Sequence, residues 1–159
     1  MNAPLPPAKR NRVELVIFDC DGVLVDSEYL ACTVHARMLS AAGLTTTPDD
    51  ILRRFTGSTD RAMYAVLEQE LGRPLPPGHA EDTAAQLRAA FERELSPIRG
   101  IADALARMTL PKCVASNSGL ATLRLGLTVT GLIAHFAPNV FSAQMVANGK
   151  PAPDLFLYA

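Results

Sequence analysis

Val13 to Phe18 (V-E-L-V-I-F) is a β-branched, mostly apolar run that stops at Asp19-Cys20-Asp21-Gly22. This is the pattern of a strand buried on both faces in a parallel sheet. From there to about Leu95 the signal is helical. Leu30, Val34 and Met38 lie along one helix face, and Gly43 closes that helix at its C′ position. Thr47-Pro48-Asp49-Asp50 opens a second helix with an N-cap, a proline at N1 and early acids. A third carries Met63, Val66, Leu67 and Leu71 and stops at Gly72. After a proline-rich loop, Arg73 to Gly78, a fourth places Ala84, Leu87, Phe91 and Leu95 at helical spacing. The whole interval reads as an all-helical lobe.

Ser96-Pro97 breaks the pattern. Ile101, Leu105 and Met108 then mark a helix, and Lys112 to Ala115 is a short strand ending at Ser116-Asn117-Ser118. Leu120, Leu123 and Leu127 form another amphipathic face. Val140-Phe141-Ser142 reads as a third strand, and Gly149-Lys150-Pro151-Ala152-Pro153-Asp154 opens a last helix, with Asp154 as its N-cap. Strands alternating with helices predict an α/β fold: a parallel Rossmann-like core interrupted by an inserted helical cap. The expected division is a disordered leader over 1–12, a discontinuous core over 13–26 and 96–159, and a cap over 27–95.

Composition excludes several function classes. The chain of 159 residues carries a formal net charge of −1, which gives no footprint for nucleic acid and no polybasic membrane anchor. No stretch approaches the apolar length of a transmembrane helix, and residues 1–12 hold no signal-peptide core. Cys20, Cys32 and Cys113 are odd in number and scattered, against both a disulfide framework and thiolate metal binding. A cytoplasmic location is expected. Nothing in the sequence sets an oligomeric state.

Asp19 and Asp21 are the first candidates for chemistry. Residues two apart on an extended strand end point to one side, so both carboxylates face one crevice while Cys20 turns away. Open parallel sheets bind ligands at the carboxyl ends of their strands. One carboxylate can serve as nucleophile or metal ligand and the other as general acid and base; Asp-x-Asp-Gly after a strand is also an ordinary turn. Ser116 ends the second strand, so its hydroxyl is expected in the same crevice. Asn117 and Ser118 offer backbone N–H groups at a helix start, a cradle for phosphate, although Ser118 also suits an N-cap. Lys150, between Gly149 and Pro151, is placed to counter an anion; a lone loop lysine is otherwise solvated surface.

Taken in order, F-D-C-D-G-V-L-V-D-S-E, then S-N-S, then G-K-P-A-P-D resemble the first three motifs of the haloacid dehalogenase-like hydrolases. The branch most similar is the phosphoglycolate phosphatase and β-phosphoglucomutase group, which carries a helical cap after the first motif. The resemblance implies a Mg²⁺-dependent phosphatase of a small phosphorylated metabolite, such as a sugar phosphate, a sugar-acid phosphate or a phosphoglycolate-like compound. By it, Asp19 attacks phosphorus to form an aspartyl-phosphate, and Asp21 protonates the leaving oxygen and then activates water. Mg²⁺ bridges the Asp19 carboxylate, the Asp21 carbonyl and the phosphate, while Ser116, the Asn117 N–H and Lys150 hold the phosphoryl oxygens. True dehalogenases lack the second acid, so Asp21 favours phosphate chemistry. The mutases of this branch place a histidine where this chain has Ala31, with His35 one helical turn further, and that favours a phosphatase over a mutase.

The resemblance also implies a fourth acidic motif after a further strand, and no residue pair after Lys150 matches it. The chain is therefore expected to be C-terminally truncated, a weak binder of Mg²⁺ and a poor catalyst alone, or a non-catalytic remnant. Its first strand is expected to be an aggregation-prone edge. In the cap, Arg53, Arg54 and Arg61 flank the turn Phe55-Thr56-Gly57-Ser58-Thr59, which in this branch faces the active site. At least one of them is expected to contact the substrate; the alternative is solvated surface.

Overall fold

Strand β1 (Val16–Phe18) pairs with β2 (Lys112–Ser116), and β2 with β3 (Val140–Ser142), in a parallel sheet of order β1-β2-β3. The computed structural model describes residues 12–159, so the expected leader lies outside the described residues, Arg12 excepted. In the central strand Cys113, Val114, Ala115 and Ser116 are all buried, as a strand covered on both faces requires. The register sets Phe18 beside Val114 and Ser116 beside Ser142. The loops after β1 and β2 therefore leave the sheet at the same end.

β1 is shorter than expected. Val13 and Leu15 are exposed at 59% and 42%, and pairing begins only at Val16. Among the described residues β1 has one neighbour, and its side chains are half-buried rather than enclosed.

The core under the sheet combines Leu24, Val25, Val114, Leu123, Leu127 and Phe136, with Phe18 meeting the Phe136 ring edge-on at 5.6 Å. Helices α5 (Ile101–Arg107) and α6 (Leu120–Val129) supply Leu105, Leu123 and Leu127 to it. Short 3₁₀ turns at Leu132–His135 and Ala143–Met145, which periodicity cannot reveal, bracket β3. The last helix, α7, runs Asp154–Tyr158 with Pro153 as its N-cap, correcting the expectation for Asp154. The Asp154 carboxylate instead turns back to accept from the Asn148 backbone N–H (3.2 Å) and side-chain amide (3.0 Å).

Between β1 and α5 lies an insertion of helices α1 (Glu28–Ala41), α2 (Pro48–Phe55), α3 (Asp60–Leu71) and α4 (His79–Glu94). It adds no strand to the sheet among the described residues. Cys32, Ala36, Leu39, Ile51, Met63 and Leu67 make its separate apolar core. α1 packs on both α2 and α4, so it is buried along two stripes: Val34 on the expected face, and Cys32, Ala36 and Leu39 beside it. α2 starts as its sequence dictates. Thr47 Oγ1 accepts from the Asp50 N–H at 3.1 Å while the Asp50 carboxylate accepts from the Thr47 N–H at 3.3 Å, a reciprocal capping box. The insertion's two ends run side by side, joined by the Asp26 N–H to the Ser96 carbonyl (2.9 Å) and the Ile98 N–H to the Leu24 carbonyl (3.0 Å). Among the described residues no helix is long and apolar enough to cross a membrane.

Candidate active site

Gly22 lies just past β1 with φ near +70°, a conformation that L side chains rarely adopt. The Gly22 N–H donates to the Val25 carbonyl at 2.9 Å, and the Val23, Leu24 and Val25 N–H groups all turn back to the Cys20 carbonyl. This tight coil holds Asp19 and Asp21 at the sheet end while the Cys20 side chain is buried beneath, 2% exposed. Burial above all, then the Asp21 and Asp19 carboxylates, push the Cys20 thiol up to about 12. The residue between the two acids is therefore a protonated thiol at neutral pH and no nucleophile.

The two carboxylates are held in unlike ways. Asp19 Oδ1 accepts from the Lys150 ammonium at 2.6 Å and from the Cys20 N–H at 2.8 Å. Asp21 Oδ1 accepts from the Ser27 hydroxyl at 2.7 Å, and its Oδ2 from the hydroxyls of Ser118 (2.6 Å) and Ser116 (3.3 Å). Ser116 Oγ in turn accepts from the Ser118 N–H at 3.0 Å. Lys150 also donates to the Ala115 carbonyl at 3.0 Å, and its side chain is 17% exposed against 48% for Asp19. The structure thus brings Asp19, Asp21, Ser116 and Lys150 together at one end of the sheet. Asn117 is exposed there too, and its side-chain amide engages the Lys150 main chain.

These residues form one wall of a cleft of about 750 Å³, and the insertion forms the other through Ala31, His35, Phe55, Thr59 and Arg88 among its residues. Burial draws the His35 imidazole below its usual pKa, with His79 acting the same way and Asp60 opposing. Its Nδ1 lies 3.4 Å from the Tyr64 hydroxyl. Arg53, Arg54 and Arg61 do not line the cleft. Arg53 pairs with Asp50 at 2.7 Å, Arg54 pairs with Glu70 and lies 4.8 Å over the Phe55 ring, and Arg61 borders a separate depression beside Tyr64 and Glu68. Among the described residues the arginine lining the cleft is Arg88 of α4, whose Nε is 3.1 Å from Glu92.

Sequence reasoning missed Ser27, the Ser118 hydroxyl, the Asn117 side chain and Arg88. Arg88 follows Ala84 by four positions on the apolar face of α4, a spacing that could have marked it.

Residues 16–159 match the haloacid dehalogenase-like hydrolase family. The chain belongs to that family. A 6-phosphogluconate phosphatase of Escherichia coli (strain K12) is 31% identical over 150 residues, which cover 94% of this chain and 68% of that protein. Among solved structures, a conserved haloacid dehalogenase-like protein of Agrobacterium tumefaciens superposes with a TM-score of 0.82 at 39% identity, covering 91% of this chain and 66% of the other. A haloacid dehalogenase family hydrolase of Deinococcus radiodurans, solved with bound phosphate and sodium, gives a TM-score of 0.73 at 32% identity, over 91% of this chain and 65% of that one. The chain thus spans about two thirds of the length of each of these relatives.

Proposed function

We propose that the chain hydrolyses a phosphate monoester of a small metabolite, such as a sugar or sugar-acid phosphate, through an aspartyl-phosphate. The observation that supports this best is the unequal treatment of the paired acids: Asp19 against an ammonium, Asp21 against three hydroxyls. With Oδ1 engaged by Lys150 and the Cys20 N–H, Asp19 Oδ2 is the oxygen left to attack phosphorus. The new Oδ2–P bond forms as the ester P–O bond breaks, and Asp21 passes a proton to the departing alkoxide. A water then attacks the same phosphorus, gives its proton to Asp21, and the Oδ2–P bond breaks to release phosphate. Ser116, the Asn117 N–H and Lys150 hold the phosphoryl oxygens. Ala31, at the position where the mutases of the branch carry histidine, lines the cleft with no acid–base group, which favours hydrolysis over phosphoryl return to the sugar. The E. coli relative's 6-phosphogluconate activity supports a phosphorylated sugar acid as one candidate substrate.

Magnesium fits the donors in kind. The Asp19 carboxylate and the Asp21 carbonyl are hard oxygens, and no hydrogen bond among the described residues engages that carbonyl. No group of three or more His, Cys, Asp or Glu gathers to hold a metal among the described residues, so most of an octahedral shell would be water and substrate phosphate. When bound, the ion would supply neutralisation of charge on the transferring phosphoryl group.

The test is phosphate release from a panel of sugar and sugar-acid phosphates with millimolar magnesium, beside acid-quenched single turnovers with phosphorus-labelled substrate. Label is expected on Asp19, and both label and release should vanish in Asp19→Asn. Release that survives Asp19→Asn undiminished overturns the proposal.

A further inference from the structure

Asn117 is the first residue after the buried end of β2, and it is exposed. Its side-chain amide nevertheless makes two hydrogen bonds, both to the main chain of one residue 33 positions away. Oδ1 accepts from the Lys150 N–H at 2.8 Å, and Nδ2 donates to the Lys150 carbonyl at 2.9 Å. The amide thus matches both polar groups of a single peptide residue, and only one orientation of its oxygen and nitrogen satisfies both. An exposed asparagine can be satisfied by water, so burial does not demand this arrangement.

The segment it grips has no slack. A Cβ at Gly149 would lie 2.7 Å from Asn117 Oδ1 and 3.0 Å from Ala143 Cβ, so the chain before Lys150 lies flush against the amide. The other end of Lys150 is fixed as well, its ammonium donating to Asp19 at 2.6 Å and to the Ala115 carbonyl at 3.0 Å. A lysine carries four rotatable side-chain bonds, and holding its ammonium in one place costs rotamer freedom. Fixing the main chain relative to the rigid end of β2 reduces what the side chain alone must restrain.

We propose that Asn117 is a positioning residue, whose side chain clamps the Lys150 backbone so that the ammonium stands where it meets both Asp19 and a phosphoryl oxygen. This rests on the phosphate-site reading above and adds to it a residue that acts through Lys150 rather than on phosphate by its side chain.

The experiment is a double-mutant cycle with inorganic phosphate as the probe, read by titration calorimetry on the whole chain with millimolar magnesium. Asn117→Ala is expected to weaken phosphate binding about tenfold, the size of losing roughly two ordinary hydrogen bonds. In a Lys150→Met background the same change should cost less than about twofold, because the group it positions is gone. Backbone amide exchange supplies a second readout. The Lys150 N–H should be protected in the parent protein and exposed in Asn117→Ala, with β2 amides unchanged. Equal losses in both backgrounds, or no loss in Asn117→Ala while Lys150→Met loses affinity, overturn the clamp alone. Full affinity in Lys150→Met removes the phosphate reading of Lys150 and the inference with it.

Discussion

Replacing Ser118 by alanine tests whether Asp21, the proposed acid, is oriented by hydroxyls or merely sits among them. The Ser118 hydroxyl donates to Asp21 Oδ2 at 2.6 Å, the shortest of three such contacts, and the Ser116 hydroxyl reaches the same oxygen only at 3.3 Å. A hydrogen bond to a charged acceptor contributes roughly 1.5–3 kcal/mol net. Asp21 is half-buried, so water replaces part of that, and Ser27 still holds Oδ1 at 2.7 Å. The expected residue is about 1.4–2 kcal/mol of lost orientation, or roughly a 10- to 30-fold fall in kcat. KM for a sugar phosphate should change less than about threefold, because this hydroxyl holds the acid and not the phosphate. The assay is steady-state phosphate release by the parent and Ser118→Ala proteins over a range of substrate. A rise in KM with kcat untouched would refute the reasoning, since it would put the Ser118 hydroxyl on the substrate.

Three further outcomes follow from particular groups. The Cys20 thiol is pushed up to about 12 by burial and by its flanking carboxylates, against 9.0 when free; a raised acid is protonated longest in the folded state, so stability is kept below pH 9.0 and falls by about 1.4 kcal/mol per pH unit above it. Urea titrations of the parent and Cys20→Ala should show the parent's extra alkaline slope, and identical slopes would count against it. Burial holds the His35 imidazole below its usual value, so the unfolded chain takes up the proton first; the stability present above pH 6.5 is lost as pH falls below it. His35→Gln should flatten that acid limb in the same titrations. Gly149→Ala drives a methyl to 2.7 Å from Asn117 Oδ1, and overpacking of this kind costs about 1–3 kcal/mol, read as a lowered Tm together with weaker phosphate binding.

The parts of the candidate site whose placement was legible in the sequence are those fixed by a strand end. Asp19, Asp21 and Ser116 sit where parallel strands stop, and the register of β1 on β2 brings those ends together without any help from side chains. Helix starts and stops were legible for the same local reason: Thr47 caps α2 and Gly72 ends α3 in a left-handed turn. The cap arginines were not. Whether Arg54 faces a cleft or Glu70 depends on how α2 and α3 lie against each other, and that is set by Ile51, Met63 and Leu67 in the core beneath. The Ser118 hydroxyl and the Asn117 amide were illegible for a related reason. Their partners lie 97 and 33 residues away, and serine or asparagine at a helix start already has a sufficient local explanation. β1 shows the opposite failure: V-E-L-V-I-F has strand propensity throughout, yet only Val16–Phe18 finds a partner to pair with.

Two aspartates two residues apart on one coil have the same intrinsic chemistry, so any division of labour between them has to come from what the fold sets beside each. An ammonium 2.6 Å from Asp19 is a formal positive charge that, in the proposed mechanism, would also attract an incoming phosphate dianion otherwise repelled by the carboxylate it must approach. Hydroxyls around Asp21 carry no formal charge; they fix the carboxylate in direction without binding it to a cation, and each can rotate its proton away, as the proton donation proposed for Asp21 would require. The first arrangement suits a nucleophile and the second a proton carrier. Exchanging the surroundings should therefore exchange the consequences. Lys150→Met leaves Asp19 with its carboxylate charge unopposed by that ammonium, and the loss should fall mainly on phosphate affinity and formation of the labelled intermediate. Ser27→Ala loosens only Asp21, and the loss should fall on turnover, most steeply for esters whose leaving alcohol is a poor leaving group and least for a nitrophenyl ester, which departs without a proton. Equal losses for the two kinds of ester in Ser27→Ala would show that the hydroxyls around Asp21 do not govern its proton.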